Sequence, residues 1–598
     1  MNSKKIAIIV SVAVIAIVGS IWFIKARHSS LPKYIPKTAS GVIKINPLSM
    51  GRKIDFDAIK KMRSYQPVIK SFESEFKNMA KFLENPSKIG MSFTDNIYIF
   101  GSDLIESTNK SVGLVFGVSD AKMLKTFIES FAKDANLEFE KSGNLNIYKS
   151  QNTLTNSTEE GSEFSNNNYN QIAIVWNDEA CLIYYAGTKT LSGAKKIMTQ
   201  SETNSIRSLA SFKNTESEGG DMAVYINYSK SFNTMTEFIS IPQKLKKQIA
   251  NVDAAAFVVS FNDQDINTNF IQYYKDNSIA KEFQILQNGG LSKESLEFIS
   301  PNGKILLGLA SMIDMPNVIK LLNSLPETKN TMKELASTTG ISTTELESLL
   351  DGSLSIALTK LSSKEIEETV YDYENMNPET GEFAQGTQKV TKIVPVFTAQ
   401  LGFQNEKTLN KLLKFIETKG NGMIQSNNNI MSAPIGFFGT MHCVHVGNKL
   451  VFTNDDENAK ILAKNKTWNN QLDKEISAIF ADYPSSFYLD LNPKNYGISK
   501  ICTGLHIPEE SPEMKLFIDV MANFNNIQIK GNNKTASMSL NFTKSSDNSI
   551  MKIIKITDQI STAMRKRNVE REAAQRQIEM QMEQEAIQAE TSGIEEMQ

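Results

Sequence analysis

Ala254-Ala-Ala-Phe-Val-Val-Ser-Phe261 is followed by Asn262-Asp-Gln-Asp265, by Ile266 to Tyr274, and then by Asp276-Asn-Ser-Ile279. The pattern reads as a strand, a turn, a returning strand and the capped start of a helix: β-branched and aromatic residues flank a polar break, and an Asp precedes the helical turn. The same device returns near the other end. Ile527 to Lys530 leads into Gly531-Asn-Asn-Lys534, then Ala536 to Phe542, then Asp547-Asn-Ser-Ile550. Phe270 corresponds to Phe542 and Asp276 to Asp547, with one loop residue lost between them. An internal repeat outranks local patterns in deciding architecture.

Further landmarks keep the same order. Gly303 to Met312 answers Gly41 to Met50, and Asp351 to Leu358 answers the strand after Asp95. Leu401 to Phe403, with the helix through Phe415 to Glu417, answers Leu114 to Phe116 and Phe127 to Glu129. Ala459 to Leu462 matches the helix at Ala194, and Phe487 to Asp490 matches Val224 to Asn227. Many hairpins with a few inserted helices predict antiparallel sheets, α+β in class. The expected fold is two tandem copies of an antiparallel-sheet-plus-helices unit, preceded by one N-terminal transmembrane helix and followed by a long charged helix. The boundaries read as 1–30 for the anchor, 31–290 for copy one, 291–557 for copy two and 558–598 for the tail. Copy two carries an addition, an acidic hairpin arm at 362–394. In copy one, residues 54–83 read as helical with a break at Pro67, and Gln151 to Asn170 as a solvated loop.

The chain has 598 residues, 40% hydrophobic and 22% charged, with 64 Lys and Arg against 66 Asp and Glu. That length predicts several domains, and the composition is that of an ordinary globular protein. The near-zero net charge argues against a nucleic-acid binder, which needs a basic stripe to displace counterions. Four histidines and three cysteines exclude a disulfide-stapled scaffold and leave little for a large metal centre.

After Lys4-Lys5, Ile6 to Ile24 runs without a charge and closes on Lys25 and Arg27. At 1.5 Å per residue this is about 28 Å of helix, matched to a hydrocarbon core of about 30 Å. It reads as an uncleaved signal anchor. A signal peptide cleaved near Val18-Gly19-Ser20 and a buried core helix are the alternatives. The expected location is the inner membrane, single-pass, with the bulk of the chain periplasmic, although Lys25, Arg27, Lys33 and Lys37 outnumber Lys4 and Lys5 and pull the charge rule the other way.

The opening Tyr34-Ile-Pro-Lys-Thr-Ala-Ser-Gly-Val42, and the arm's Tyr371-Asp-Tyr-Glu374 leading on to Val394-Pro395, resemble large envelope proteins of Gram-negative bacteria of the Bacteroidetes type. That family is known as a domain of unknown function. The resemblance covers most of 31–557 and transfers no catalytic residue. Members often carry a lipoprotein cysteine, which this chain lacks.

No nucleophile elbow, zinc-protease helix or dinucleotide fingerprint occurs, and Gly187 to Lys195 has the wrong spacing for a phosphate loop. One constellation carries chemistry: His442, Cys443 and His445 with Cys502 and His506. On a strand Cys443 and His445 share a face, and on a helix Cys502 and His506 lie one turn apart. They are the candidate metal ligands; a Cys443–Cys502 disulfide and unrelated buried cysteines are the competing readings. The tail holds Arg565, Lys566, Arg567, Arg571 and Arg576, then only acids from Glu579 onward. These observations predict a non-catalytic binding or scaffold module without cofactor, with partners met through the membrane segment and the C-terminal helix. A carrier for apolar ligands is the alternative, and a metal-dependent hydrolase the third reading.

Overall fold

The structure is a computed structural model that describes residues 30–75, 86–102, 110–134, 137–150, 172–228, 243–376, 383–419, 424–427, 429–436, 439–468, 471–505 and 507–595. Its first ten strands are β1 (Gly41–Ile45), β2 (Ile97–Ser102), β3 (Ser111–Gly117), β4 (Leu137–Ser142), β5 (Leu145–Ser150), β6 (Ala173–Trp176), β7 (Ala180–Tyr185), β8 (Met222–Asn227), β9 (Val252–Phe261) and β10 (Asp265–Tyr274). The next ten are β11 (Leu307–Met312), β12 (Leu350–Met376), β13 (Phe383–Phe403), β14 (Gln425–Asn427), β15 (Ile430–Pro434), β16 (Thr440–Val446), β17 (Lys449–Thr453), β18 (Ser485–Asp490), β19 (Phe524–Gly531) and β20 (Thr535–Phe542). The helices used below are α1 (Tyr65–Glu75), α2 (Ala121–Asp134), α3 (Thr190–Met198), α4 (Met315–Ser324), α5 (Pro326–Thr339), α6 (Thr343–Glu347), α7 (Glu406–Lys419), α8 (Asp456–Asn465), α9 (Lys474–Asp482), α10 (Ile498–Leu505), α11 (Pro512–Met521) and α12 (Ser549–Glu595).

The expectation of two tandem units, each with its own sheet, is corrected. All twenty strands belong to one antiparallel sheet. Its hydrogen bonding runs β4-β5-β6-β7-β3-β2-β1-β8-β9-β10 and continues without a break into β20-β19-β18-β11-β12-β13-β17-β16-β15-β14. The seam is β10 on β20, from Asp265 opposite Asn541 to Ile271 opposite Thr535. Left apart, those strands would each present an unpaired row of N–H and C=O groups, and joining removes both edges.

The transmembrane helix, and with it the signal anchor and the single-pass inner-membrane location, is also corrected. Among the described residues no helix is long and apolar enough to cross a membrane. Helix α12 has the length but carries charges along most of it. Ile6 to Ile24, on which the expectation rested, lies outside the described residues, as does the 151–170 loop.

Local chemistry accounts for the helix starts. Asp120 Oδ1 accepts from the amides of Lys122 and Met123 at the head of α2, and Ser342 with Glu345 forms a reciprocal capping box at α6. The helical stretch does break near Pro67, into helices at Phe56–Lys60 and Tyr65–Glu75. Pro67 itself sits in the first turn of α1, where its missing N–H costs nothing. The arm is the continuation of β12 and β13 beyond the sheet. β11 pairs with β12 only from Ser353 to Leu358, and β17 pairs with β13 only from Thr398 to Gly402. At its foot the Lys500 ammonium of α10 donates to the Leu361 carbonyl at 2.6 Å.

Each half is braced by the other. After β10 the chain crosses over, and Asn533 both accepts from the Leu286 amide and donates to the Leu286 carbonyl. After β20 the root of α12 crosses the opposite way. Ser549 N–H donates to Asn262, Asn548 to the Lys53 carbonyl, and Ser64 N–H to the Asp558 carboxylate. Ile550 joins a core cluster otherwise built from the first half, including Ile45, Phe116, Leu124 and Trp176. Lys552 reaches between the two hairpins, donating to the Thr543 carbonyl at 3.0 Å and to Gln264 Oε1 at 3.2 Å. Burial holds its ammonium below the usual lysine range.

Candidate functional site: an uncovered apolar face of the sheet

Of the residues singled out in the sequence, four lie among the described residues. His442, Cys443 and His445 lie on β16. His442 bridges Ser432 Oγ (2.8 Å) and Asp456 Oδ1 (2.5 Å), tying the strand to the first turn of α8. Cys443 is buried against Phe403, Leu409 and Leu450, and that burial pushes its thiol up to about 12. His445 lies against the Phe403 ring and bonds the Gly447 carbonyl. Cys502 is buried on α10 at the foot of the arm, and His506 lies outside the described residues. All three cysteines are free thiols. Among the described residues no group of three His, Cys, Asp or Glu side chains is placed to hold a metal.

The sheet itself offers a different site. Successive residues of a strand point to opposite faces, so the register defines rows of neighbours across strands. One row runs Ile356, Leu309, Phe487, Ile529, Met538, Thr268, crossing β12, β11, β18, β19, β20 and β10. The row beside it is Leu358, Leu307, Leu489, Ile527, Leu540, Ile266, and on the other side lie Leu354, Ser311, Ser485, Gly531, Ala536 and Phe270. None of these positions carries a charge, and three hydroxyls supply their only polar side-chain atoms.

This face is open where a core is expected. Ile356 is 44%, Leu309 41%, Ile529 37% and Met538 42% exposed. On β12, β11, β18 and β19 the alternate positions are the buried ones: Asn526 and Gln528 are 3% and 4% exposed, Ser355, Ala357, Ala310, Ser486 and Tyr488 are buried too, and so is Gln400 on the neighbouring β13; β20 and β10 leave both faces partly exposed. Large apolar side chains therefore stand open on one face of these strands while small apolar and polar ones are covered on the other. Hydrogen bonds explain how. Gln400 donates to the Ser295 carbonyl at 2.8 Å, Thr398 donates to the Ile299 carbonyl, and Gln528 donates to Glu475 Oε1 of α9 at 2.5 Å. The polar side chains of that face thus fasten the covering layer, the 291–306 segment and α9, whose Leu291, Ile299, Ile476, Ile479 and Phe480 pack with Ala310 and Ala357.

Among the described residues, helices close the open face on two sides. Toward β16, Leu409, Leu412 and Leu413 of α7 with Leu346 of α6 pack on Cys443 and Leu450. Helix α4 packs on α5, α6 and β12. Toward β8, the cluster holding Ile550 and Ile554 covers Met222 and Phe261. Between them the floor crosses six strands, five spacings of about 4.8 Å, and is three rows deep, so it measures about 24 Å by 14 Å. The patterns of β19 and β20 carried the signal for this face, since Ile527 and Ile529, and Met538 and Leu540, alternate with polar residues. Periodicity marks an apolar face without saying whether anything covers it.

No protein-family model matches the chain, and no curated protein matches it. Among solved structures it is similar to TP0453. Crystal form IV gives a TM-score of 0.22 at 10% identity over 41% of this chain and 81% of that one. Form III gives 0.23 at 10% identity over 42% and 85%, and form I gives 0.22 at 9% over 42% and 80%. Scores this low do not mark a shared overall fold.

Proposed function

We propose that the protein is a non-catalytic binding protein that holds an apolar small molecule on the open sheet face. The observation that supports this is an uncharged face with Leu309, Ile356, Ile529 and Met538 left exposed, while the small and polar side chains on the opposite face of β11, β12, β18 and β19 are buried. A chain folding only for stability buries the apolar side, since each large apolar side chain taken out of water contributes about 1.5–3 kcal/mol. A contiguous exposed apolar surface marks an interaction site, and apolar side chains line most small-molecule sites. The test is titration with a polarity-sensitive naphthalene sulfonate dye. Wild type is expected to bind it, and Leu309→Asp with Met538→Asp to lose that binding while keeping the far-ultraviolet circular dichroism of the native chain. Undiminished dye binding by this variant would refute the reading.

A second reading concerns α12. From Arg565 to Gln584 the helix is exposed on every side, and Arg567 reaches Glu513 of α11 at 3.0 Å near its emergence. Its basic stretch, Arg565 to Arg576, precedes an acidic one from Glu579, so two copies laid antiparallel match opposite charges. Self-association that weakens with salt and vanishes on removal of 565–598 is the expected result in sedimentation. A monomer at every salt concentration would end this reading.

A further inference from the structure

We infer that the ligand of the open face is the single long alkyl chain of an amphiphile, lying across the strands from β12 to β10. This rests on the binding role proposed above and adds the chemistry of the occupant.

Two observations select an alkyl chain. The rows through Leu309 and Leu307 consist of aliphatic, Phe and Met side chains with Thr268, and no charged group or amide stands among them. A ligand with polar groups along its length would leave them desolvated and unpaired there, whereas methylenes lose nothing. The floor is long and narrow. At about 1.2 Å advance per bond along an extended chain, some 24 Å accepts about twenty carbons.

The area excludes the other occupants. About 24 Å by 14 Å is roughly 340 Å², well short of the ~800 Å² per partner of a stable protein interface. A second copy docked face to face would also have to part the helices α4 to α7 and the root of α12 that stand on either side. The three hydroxyls, of Ser311, Ser485 and Thr268, fall far short of the hydrogen bonds a protein partner brings to such a surface. The polar head of the amphiphile then lies beyond the floor, in water.

The experiment uses the full chain and straight-chain fatty acids of 8, 12, 16 and 24 carbons, each below its aggregation limit, in calorimetric titration. Affinity is expected to rise about fourfold per methylene from 8 carbons and to level off between 16 and 24. One acid should bind per chain. Leu309→Asp should weaken the 16-carbon acid at least tenfold, and Met582→Asp, on the exposed shaft of α12, should leave it unchanged. If Leu309→Asp fails to fold, Ile529→Trp reads the same site by filling the floor, and should lower affinity for 16 carbons more than for 8. Equal affinity at every chain length overturns the alkyl assignment even if the dye binds. Loss of dye and acids together overturns the binding role as well. Mixing with phosphatidylcholine vesicles separates the sources. Protein recovered free of vesicles and carrying one lipid supports the inference, and protein that only floats with the vesicles overturns it in favour of a membrane-docking surface. A dimer broken by Leu309→Asp, with no acid bound, overturns it in favour of a second copy.

Discussion

Helix α12 divides into a root that belongs to the core and a shaft that does not, and truncation separates the two. Ile550, Met551 and Ile556 are buried; at about 1.5–3 kcal/mol for each large apolar side chain, their loss removes roughly 5–9 kcal/mol. That is comparable to the whole stability of a typical domain, about 5–15 kcal/mol. Lys552 and Asp558 add hydrogen bonds to both hairpins and to the Ser64 amide. Removal of 549–598 should therefore collapse the cluster around Trp176 and shift the urea midpoint far down, with the loss seen in tryptophan fluorescence. Removal of 565–598 should leave the midpoint within error, because no side chain described there is buried. The single change Ile550→Ala should cost about 2–5 kcal/mol. Equal midpoints for the two truncations would refute the division. So would a fall in melting temperature above about 5 °C on removing the shaft alone.

Three other outcomes are expected. Lys449 is buried, with its ammonium 2.8 Å from Asp351 Oδ2 and 2.7 Å from Ser353 Oγ; Lys449→Met leaves that carboxylate without its cation and should destabilise by about 3–5 kcal/mol, with Asp351→Asn in the same chain restoring part of it in urea melts. Hydrogen bonding from Lys411, then from Ser342, lowers the Glu345 carboxyl from 4.5 to about 2. Its folded value lies below its unfolded one, so its contribution is full above about pH 4.5 and lost as pH falls toward 2; acid titration of Glu345→Gln should show a shallower decline across that window. Cys443, held up to about 12 by burial, should resist a disulfide reagent at pH 8 in the native chain and react in urea, and rapid native labelling would contradict its placement.

How far the residues announced all this depends on the element. The hairpin Val252 to Tyr274 was legible because its alternation and polar turn are local, and α2 because Asp120 caps it. β4 was missed: Glu138, Glu140 and Lys141 interrupt its pattern, a composition suited to the edge strand it proves to be. The alternation that puts Cys443 and His445 on one face of β16 was readable, but the placing of Cys502 on a helix packed on β12 and β13 was not. Nor was the joining of β10 to β20, since a pairing so remote in sequence leaves no mark on either strand alone. The burial of Asn526 and Gln528 on β19 was not legible either, because it depends on Glu475 of α9 and on Asn541 of β20, which supply their hydrogen-bond partners.

The crossing of the α12 root onto the first half also bears on how the chain is made. Ile550 completes a cluster whose other buried members all lie before residue 184, and β10 finds its seam partner only when Thr535 to Phe542 has emerged. Synthesis at ~5–20 residues per second leaves the first half waiting tens of seconds with a gap in its core and a ten-residue strand edge unpaired. During that interval the nascent chain presents the two features that attract wrong partners, an apolar opening and a free edge. Residues 535–556 thus close a core begun before residue 184, and the first half cannot complete its packing until they have emerged.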